Sequence, residues 1–229
     1  MRNLAKTLLL CALTACGGDD ECTIDTTYDP PINAASFKAA VDNPLYPLVP
    51  GTRFVYMAGS ERVDIEVLTT TRTILGITAT EVHDVASVNG ETIEDTIDWF
   101  AQDQAGNVWY LGEDTKELEG GQVVSTEGSW EAGVDGAKPG IIIPASPVLD
   151  QPYRQEYLAC EAEDMGKVVS TNASVTVPVG AYTGCLETED TTPLEPDVNE
   201  HKFYCPGVGL VLSIDTETGE REELIQRTP

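Results

Sequence analysis

Positive charge is what this sequence has least of. Against 39 aspartates and glutamates stand 13 lysines and arginines, so the 229-residue chain carries −26 at neutral pH. No basic cluster interrupts that excess, which excludes electrostatic docking on nucleic-acid phosphates or on anionic lipid headgroups. Histidine is almost missing: His83 and His201 are the two, too few for a histidine-built zinc or copper centre. No apolar run reaches the roughly 20 residues that a membrane-spanning helix needs. The loud catalytic motifs are missing too. There is no nucleotide-binding glycine loop, no Gly-x-Ser-x-Gly elbow, no His-Glu-x-x-His and no Cys-x-x-Cys. Gly207-Val208-Gly209 lacks a third glycine and opens a strand, so it reads as a turn.

What remains is apolar enough to fold, at 41% hydrophobic residues, and one β-rich domain of this length is ordinary. Arg2 and Lys6 precede an apolar stretch, Leu8 to Leu13, ending in Leu13-Thr14-Ala15-Cys16. A basic start, a short apolar run and small residues before a cleavage point describe a secretory signal over residues 1–15. Leu-Thr-Ala-Cys resembles the lipobox of bacterial lipoproteins, which implies that Cys16 is diacylated and becomes the first residue. Acyl chains bury methylenes at ~0.8 kcal/mol each, so the membrane is the expected partner. Cleavage removes two basic residues and no acid, leaving 39 acids against 11 bases, or −28. Residues 16–44 then form the lipidated cysteine, an acidic tether and an entry segment. The residue after Cys16 is Gly17; by similarity to enterobacterial sorting rules this favours the outer membrane over the inner one, in a bacterial envelope, facing periplasm or surface.

From residue 45 to 229 the texture is β. Phe54 and Tyr56, then Val63, Ile65 and Val67, then Thr73, Leu75 and Ile77 alternate with polar partners, the period of half-buried strands. Asn89-Gly90 is a hairpin signature because both residues tolerate positive φ. Further turns are expected at Gln104–Asn107, Gly120-Gly121 and Thr218-Gly219. The fold class is all-β: one strongly curved antiparallel sheet or a barrel-like sandwich of about a dozen strands. One short helix over Asn33 to Val41 is expected, with Asn33 as its cap. Gly133 to Pro152 holds four prolines around Ile141-Ile142-Ile143 and reads as a long loop, a lid or a plug.

Several phrases carry a resemblance: Val49-Pro50-Gly51-Thr52-Arg53-Phe54-Val55-Tyr56, Trp99-Phe100-Ala101-Gln102-Asp103, Gly106-Asn107-Val108-Trp109-Tyr110, Gly128-Ser129-Trp130-Glu131-Ala132-Gly133 and Pro206-Gly207-Val208-Gly209-Leu210-Val211. Together, over roughly residues 45–226, they resemble a broad group of uncharacterised bacterial secreted proteins and lipoproteins. The fold this implies is similar to the curved sheets of lipoprotein-carrier proteins. It implies no activity.

Candidate site residues follow from residue type. Four cysteines besides Cys16 remain in the mature chain, Cys22, Cys160, Cys185 and Cys205, and in an oxidising compartment they form disulfides. Three pairings are open, with Cys160–Cys205 preferred. Trp99, Trp109 and Trp130 fall on neighbouring strands, with Tyr110 and Tyr157 near. On a concave face they would hold a small apolar or amphipathic ligand; the other reading is core. Glu131 with Glu156 or Glu163 are acid and base candidates for a glycan hydrolase or lyase. Glu161, Glu163 and Asp164 supply hard oxygens for calcium; otherwise no cofactor is required. Glu94, Asp95 and Asp98 form a second acidic group, and His201 with Cys205 and Cys185 could ligate a soft metal. The functional expectation is a membrane-anchored binding module without catalysis, with a carboxylate enzyme or a structural envelope protein as alternatives.

Overall fold

A computed structural model describes residues 24–229. The signal segment, the lipobox, Cys16 and Cys22 lie outside the described residues. Fifteen strands alternate with turns, in two long meanders separated by short pieces. The first meander is β1 (Arg53–Ala58), β2 (Glu61–Ile74), β3 (Ile77–Val88), β4 (Glu91–Gln102) and β5 (Val108–Glu119). The short pieces are β6 (Gln122–Ser125), β7 (Trp130–Glu131), β8 (Lys138–Ile143), β9 (Pro152–Arg154) and β10 (Glu156–Tyr157). The second meander is β11 (Met165–Val177), β12 (Gly180–Thr192), β13 (Glu195–Cys205), β14 (Gly209–Asp215) and β15 (Arg221–Thr228).

All fifteen belong to one curved antiparallel sheet, ordered β10-β8-β5-β4-β3-β2-β1-β15-β14-β13-β12-β11-β9, with β6 and β7 beside β5. The meanders join where β1 pairs with β15. At the far side the two edges are β10 and β9, and a single residue, Gln155, separates these strands in sequence. The sheet is therefore bent until its edges meet through the chain itself, and one face becomes an interior. Gly140 of β8 makes the approach possible: a Cβ there would lie 2.2 Å from the carbonyl carbon of Gln155.

The turns fall where their chemistry demands. Asn89 and Gly90 take φ of 54° and 82° and form the two-residue link between β3 and β4. Leu75 is different from its expected place in a strand. It enters the left-handed region at φ 50° and, with Gly76, turns β2 into β3, leaving its side chain exposed. The expected helix over Asn33–Val41 shrinks to one 3-10 turn, Ala34–Ser36. Asn33 does cap it, accepting from the Ala35 N–H. Immediately afterwards Phe37 bridges to Asp103 and the Lys38 N–H donates to the Gln102 carbonyl, so sheet pairing outcompetes helix. The proline-rich loop is half strand: Ile141 and Ile143 pair with β5 as part of β8, and Ile143 is wholly buried.

The disulfide joins Cys185 to Cys205, with Cα atoms 4.2 Å apart, which corrects the expected Cys160–Cys205 pairing. Leu186 and Tyr204 face each other across β12 and β13, so Cys185 and Cys205 lie side by side beneath them. Cys160 sits in the tight turn after β10, and it is separately disulfide-bonded.

Two outcomes test this architecture. Gly140→Ala should destabilise the domain by more than about 3 kcal/mol in urea unfolding, since backbone, not a flexible side chain, blocks the added methyl. An unchanged midpoint would show that the edges do not meet there. Cys205→Ser should cost about 3 kcal/mol for the loop it opens. Non-reducing peptide mapping should recover the Cys185–Cys205 pair, and recovery of Cys160–Cys205 would contradict the fold.

Candidate functional site

Period-two alternation sends every second residue of a strand to the interior, and here much of that interior is polar. On one wall Asp84 of β3 faces Thr96 of β4, and Val82 faces Asp98. Thr96 in turn faces Thr115 of β5, and Asp98 faces Glu113. On the opposite wall Thr188, Lys202, Ser213 and Glu222 form one row across β12 to β15. All four are buried. Between the walls lies a chamber of about 70 Å³, room for roughly five water-sized positions. Its carboxyls come from Asp84, Glu94, Asp98, Glu113, Asp164 and Asp190. Lys202 is the only buried basic side chain among the described residues.

Lys202 neutralises one end. Its Nζ lies 3.3 Å from Asp190 Oδ2 and 3.4 Å from Glu200, and the Gln155 amide donates to the same Asp190 oxygen at 3.0 Å. Burial pulls the ammonium pKa down, but Asp190 and Glu200 outweigh it and hold Lys202 well above its ordinary value. Among the described residues the other end has no buried lysine or arginine, and His83 is the cation whose charge acts on Asp98. Burial raises Asp98 to about 6, against the pull of its hydrogen bond from Tyr110, and raises Glu94 to about 8. Burial and the Asp98 charge push Glu113 well above the carboxylate range; Asp84 is raised by burial and by the same neighbour.

Donor counting reaches the same conclusion independently. Glu94 Oε1, Thr96 Oγ1, Thr115 Oγ1 and Glu113 Oε2 form a chain with contacts of 3.2, 2.6 and 3.1 Å. Three hydrogen bonds need three protons, and two hydroxyls supply two. At least one of the two carboxyls therefore carries the third.

Four aromatic rings line the chamber. Tyr110, Phe100, Tyr46 and Tyr204 form an unbroken series with centroids 4.9, 5.4 and 5.9 Å apart, and Trp130 backs Tyr110 at 5.3 Å. Tyr110 donates to Asp98 Oδ1 at 2.6 Å. Tyr46 comes from the stretch before β1, which runs from the Gln102 end of β4 to the start of β14 as a strap. Buried Gln102 pins that strap: its Oε1 accepts from the Asp42 and Asn43 N–H groups at 2.7 Å each. A second chamber of about 50 Å³ shares Tyr46, Asp84, Asp98, Phe100 and Leu210 with the first. Phe54, Tyr56, Ile65 and Val82 make its remaining walls largely apolar.

Of the sequence-predicted ligand residues, Tyr110 lines the chamber. Trp99, Trp109, Trp130 and Tyr157 are buried and line neither chamber. Arg72 covers the Trp99 ring at 4.2 Å, Trp109 donates to Asp103 at 2.9 Å, and Trp130 donates to Glu156 at 3.0 Å. Arg154 lies 4.6 Å over Tyr157. The acid and base candidates do not meet in a cleft: Glu131 pairs with Arg72, Glu156 with Trp130, and Glu163 accepts from the Cys160 N–H. The calcium candidates diverge as well. Asp164 enters the chamber, Glu163 points to Cys160, and Glu161 is exposed. Among the described residues no three His, Cys, Asp or Glu side chains are grouped to hold a metal ion. Cys205 is in a disulfide, and His201 contacts Glu187 at 2.8 Å.

Asp190 and Lys202 were not singled out from sequence, and Asp84 and Glu113 were not placed in a carboxyl-lined interior. A signal existed: Glu94-x-Thr96-x-Asp98 and Glu113-x-Thr115 are polar at strand period. Ile93 and Ile97 occupy the alternate positions, so hydrophobicity by itself does not select the carboxyl face as the interior.

These carboxyls bind protons more tightly folded than unfolded, where Asp and Glu titrate near ~3.9 and ~4.3. Folded protein then holds the excess protons between about pH 4 and pH 8, and stability falls as pH rises through that window. The lowered carboxyls, such as Asp103, act only below it. Urea unfolding at pH 5 should give a higher midpoint than at pH 8, by a few kcal/mol in free energy. The reverse order would mean that the chamber is ionised in the folded state.

No protein-family model and no curated protein matches the chain. Among solved structures it is similar to a protein from Parabacteroides distasonis described as a candidate lipoprotein, at 11% identity and a TM-score of 0.43. The match covers 81% of this chain and 99% of that one.

Proposed function

We propose that this is an acyl-anchored protein of a bacterial envelope whose β domain binds a small amphipathic ligand without transforming it. The adjoining chambers carry the reading. One is lined by six carboxyl residues and the other mostly by apolar side chains, and they share Tyr46, Asp84, Asp98, Phe100 and Leu210 at their boundary. A strap from the membrane-proximal segment covers both. No helix among the described residues is long and apolar enough to cross a membrane, so attachment rests on Cys16 and its lipobox. Gly17 after Cys16 supports the outer membrane as the destination.

A native mass spectrum of the full chain, released from detergent micelles, tests both halves. The expected result is a covalent acyl increment on Cys16 together with a non-covalent organic mass. Replacing Ile142, which lines the carboxyl chamber, by Trp should remove the second mass and leave the first. A bare polypeptide mass would overturn the binding reading.

A further inference from the structure

We infer that the carboxyl chamber is a receptor for the ammonium group of a small primary alkylamine, bound among Asp84, Asp98 and Glu113 with its alkyl chain directed to the apolar chamber. This rests on the binding reading above and names its ligand class. Two residues that line the chamber each have one buried carboxyl oxygen with no hydrogen-bond partner among the described residues: Glu113 Oε1 and Asp190 Oδ1. Both residues are at most 5% exposed. A carboxyl oxygen sealed from solvent wants a hydrogen-bond donor, and an ammonium offers three with a matching charge.

The alternatives fit less well. A metal ion needs several ligands converging at short range, and no group of three among the described residues does so. A quaternary ammonium has no N–H to give Glu113. A neutral alcohol supplies one donor and no charge, leaving the Asp84–Glu113 wall uncompensated. Phe100 and Tyr110 both line the carboxyl chamber, and an aromatic face left open to it attracts a cation. The apolar walls of the second chamber accept a short chain.

The step balances. When empty, the Glu94–Thr96–Thr115–Glu113 chain holds a proton that its two hydroxyls cannot provide. An incoming ammonium replaces that positive charge, and the proton leaves to solvent. Binding is an exchange of one cation for another.

Isothermal titration of the full chain in detergent micelles at pH 7, with n-butylamine, n-butanol and sodium butyrate as probes, tests this. Butylamine should bind once per chain and release about one proton, read from the heats in two buffers of different ionisation enthalpy. Butanol and butyrate should bind at least tenfold more weakly, the discrimination expected of a charge-assisted contact. Glu113→Gln should weaken butylamine by tenfold or more. If that variant fails to fold, Asp98→Asn should show the same loss with normal far-UV and near-UV circular dichroism. Butanol or butyrate binding as tightly as butylamine would overturn the amine assignment and leave the binding module standing. So would an organic mass in the native spectrum that butylamine does not displace. Failure of every probe together with a bare native mass would overturn both.

Discussion

Closure of the sheet governs everything else in this protein. The two edges of a fifteen-strand sheet are the two sides of Gln155, and Gly140 lets the backbones come within contact of each other. Once those edges meet, each strand has an inside. At the joint, β9 covers Met165 to Lys167 of β11 and β10 covers Lys138 and Pro139 of β8, which shortens the free row of backbone donors and acceptors that invites strand addition. Gln155 takes part twice, as the covalent joint and as a donor to Asp190 within the chamber.

Closure also changes the chemistry of ordinary residues. On an open strand Asp84, Asp98 and Glu113 would be three more solvated charges in a chain of many. Inside, the loss of water makes their charged forms expensive, so protons stay on and neighbours couple. Lys202 relieves the Asp190 side and leaves the Asp84–Glu113 side without a buried lysine or arginine. That asymmetry separates a wall that carries an ammonium from one that carries carboxyls alone, and Tyr110, Phe100, Tyr46 and Tyr204 line the space between them.

Much of the fold was legible. Asn89-Gly90 and Gly120-Gly121 encode hairpins locally through positive φ, and the alternation along β3, where Val82, Asp84 and Ala86 are buried, marks a strand. The misreadings share a cause. Leu75 looked like a strand residue because its side chain is apolar, yet its backbone turns with Gly76. Asn33 capped a helix that never continued, because Gln102 and Asp103 offered sheet and side-chain bonds to the same segment. Cys205 found Cys185, its neighbour across the β12–β13 pair. Cys160 lies on a turn at the sheet's edge, and sequence spacing does not reveal which strands adjoin.

The site was legible only in outline. Composition and the lipobox-like Leu13-Thr14-Ala15-Cys16 point to the exported, acyl-anchored class, and alternation determined that the domain is all-β, because both signals are local. Which face of each strand became the interior was decided by tertiary structure. In β4, Ile93 and Ile97 alternate with Glu94, Thr96 and Asp98, and either set could have turned inward. Hydrophobicity alone favours the isoleucines. The inward choice is set by register with β3 and β5 and by the curvature that Gly140 and Gln155 impose, and these are relations between residues far apart in the chain.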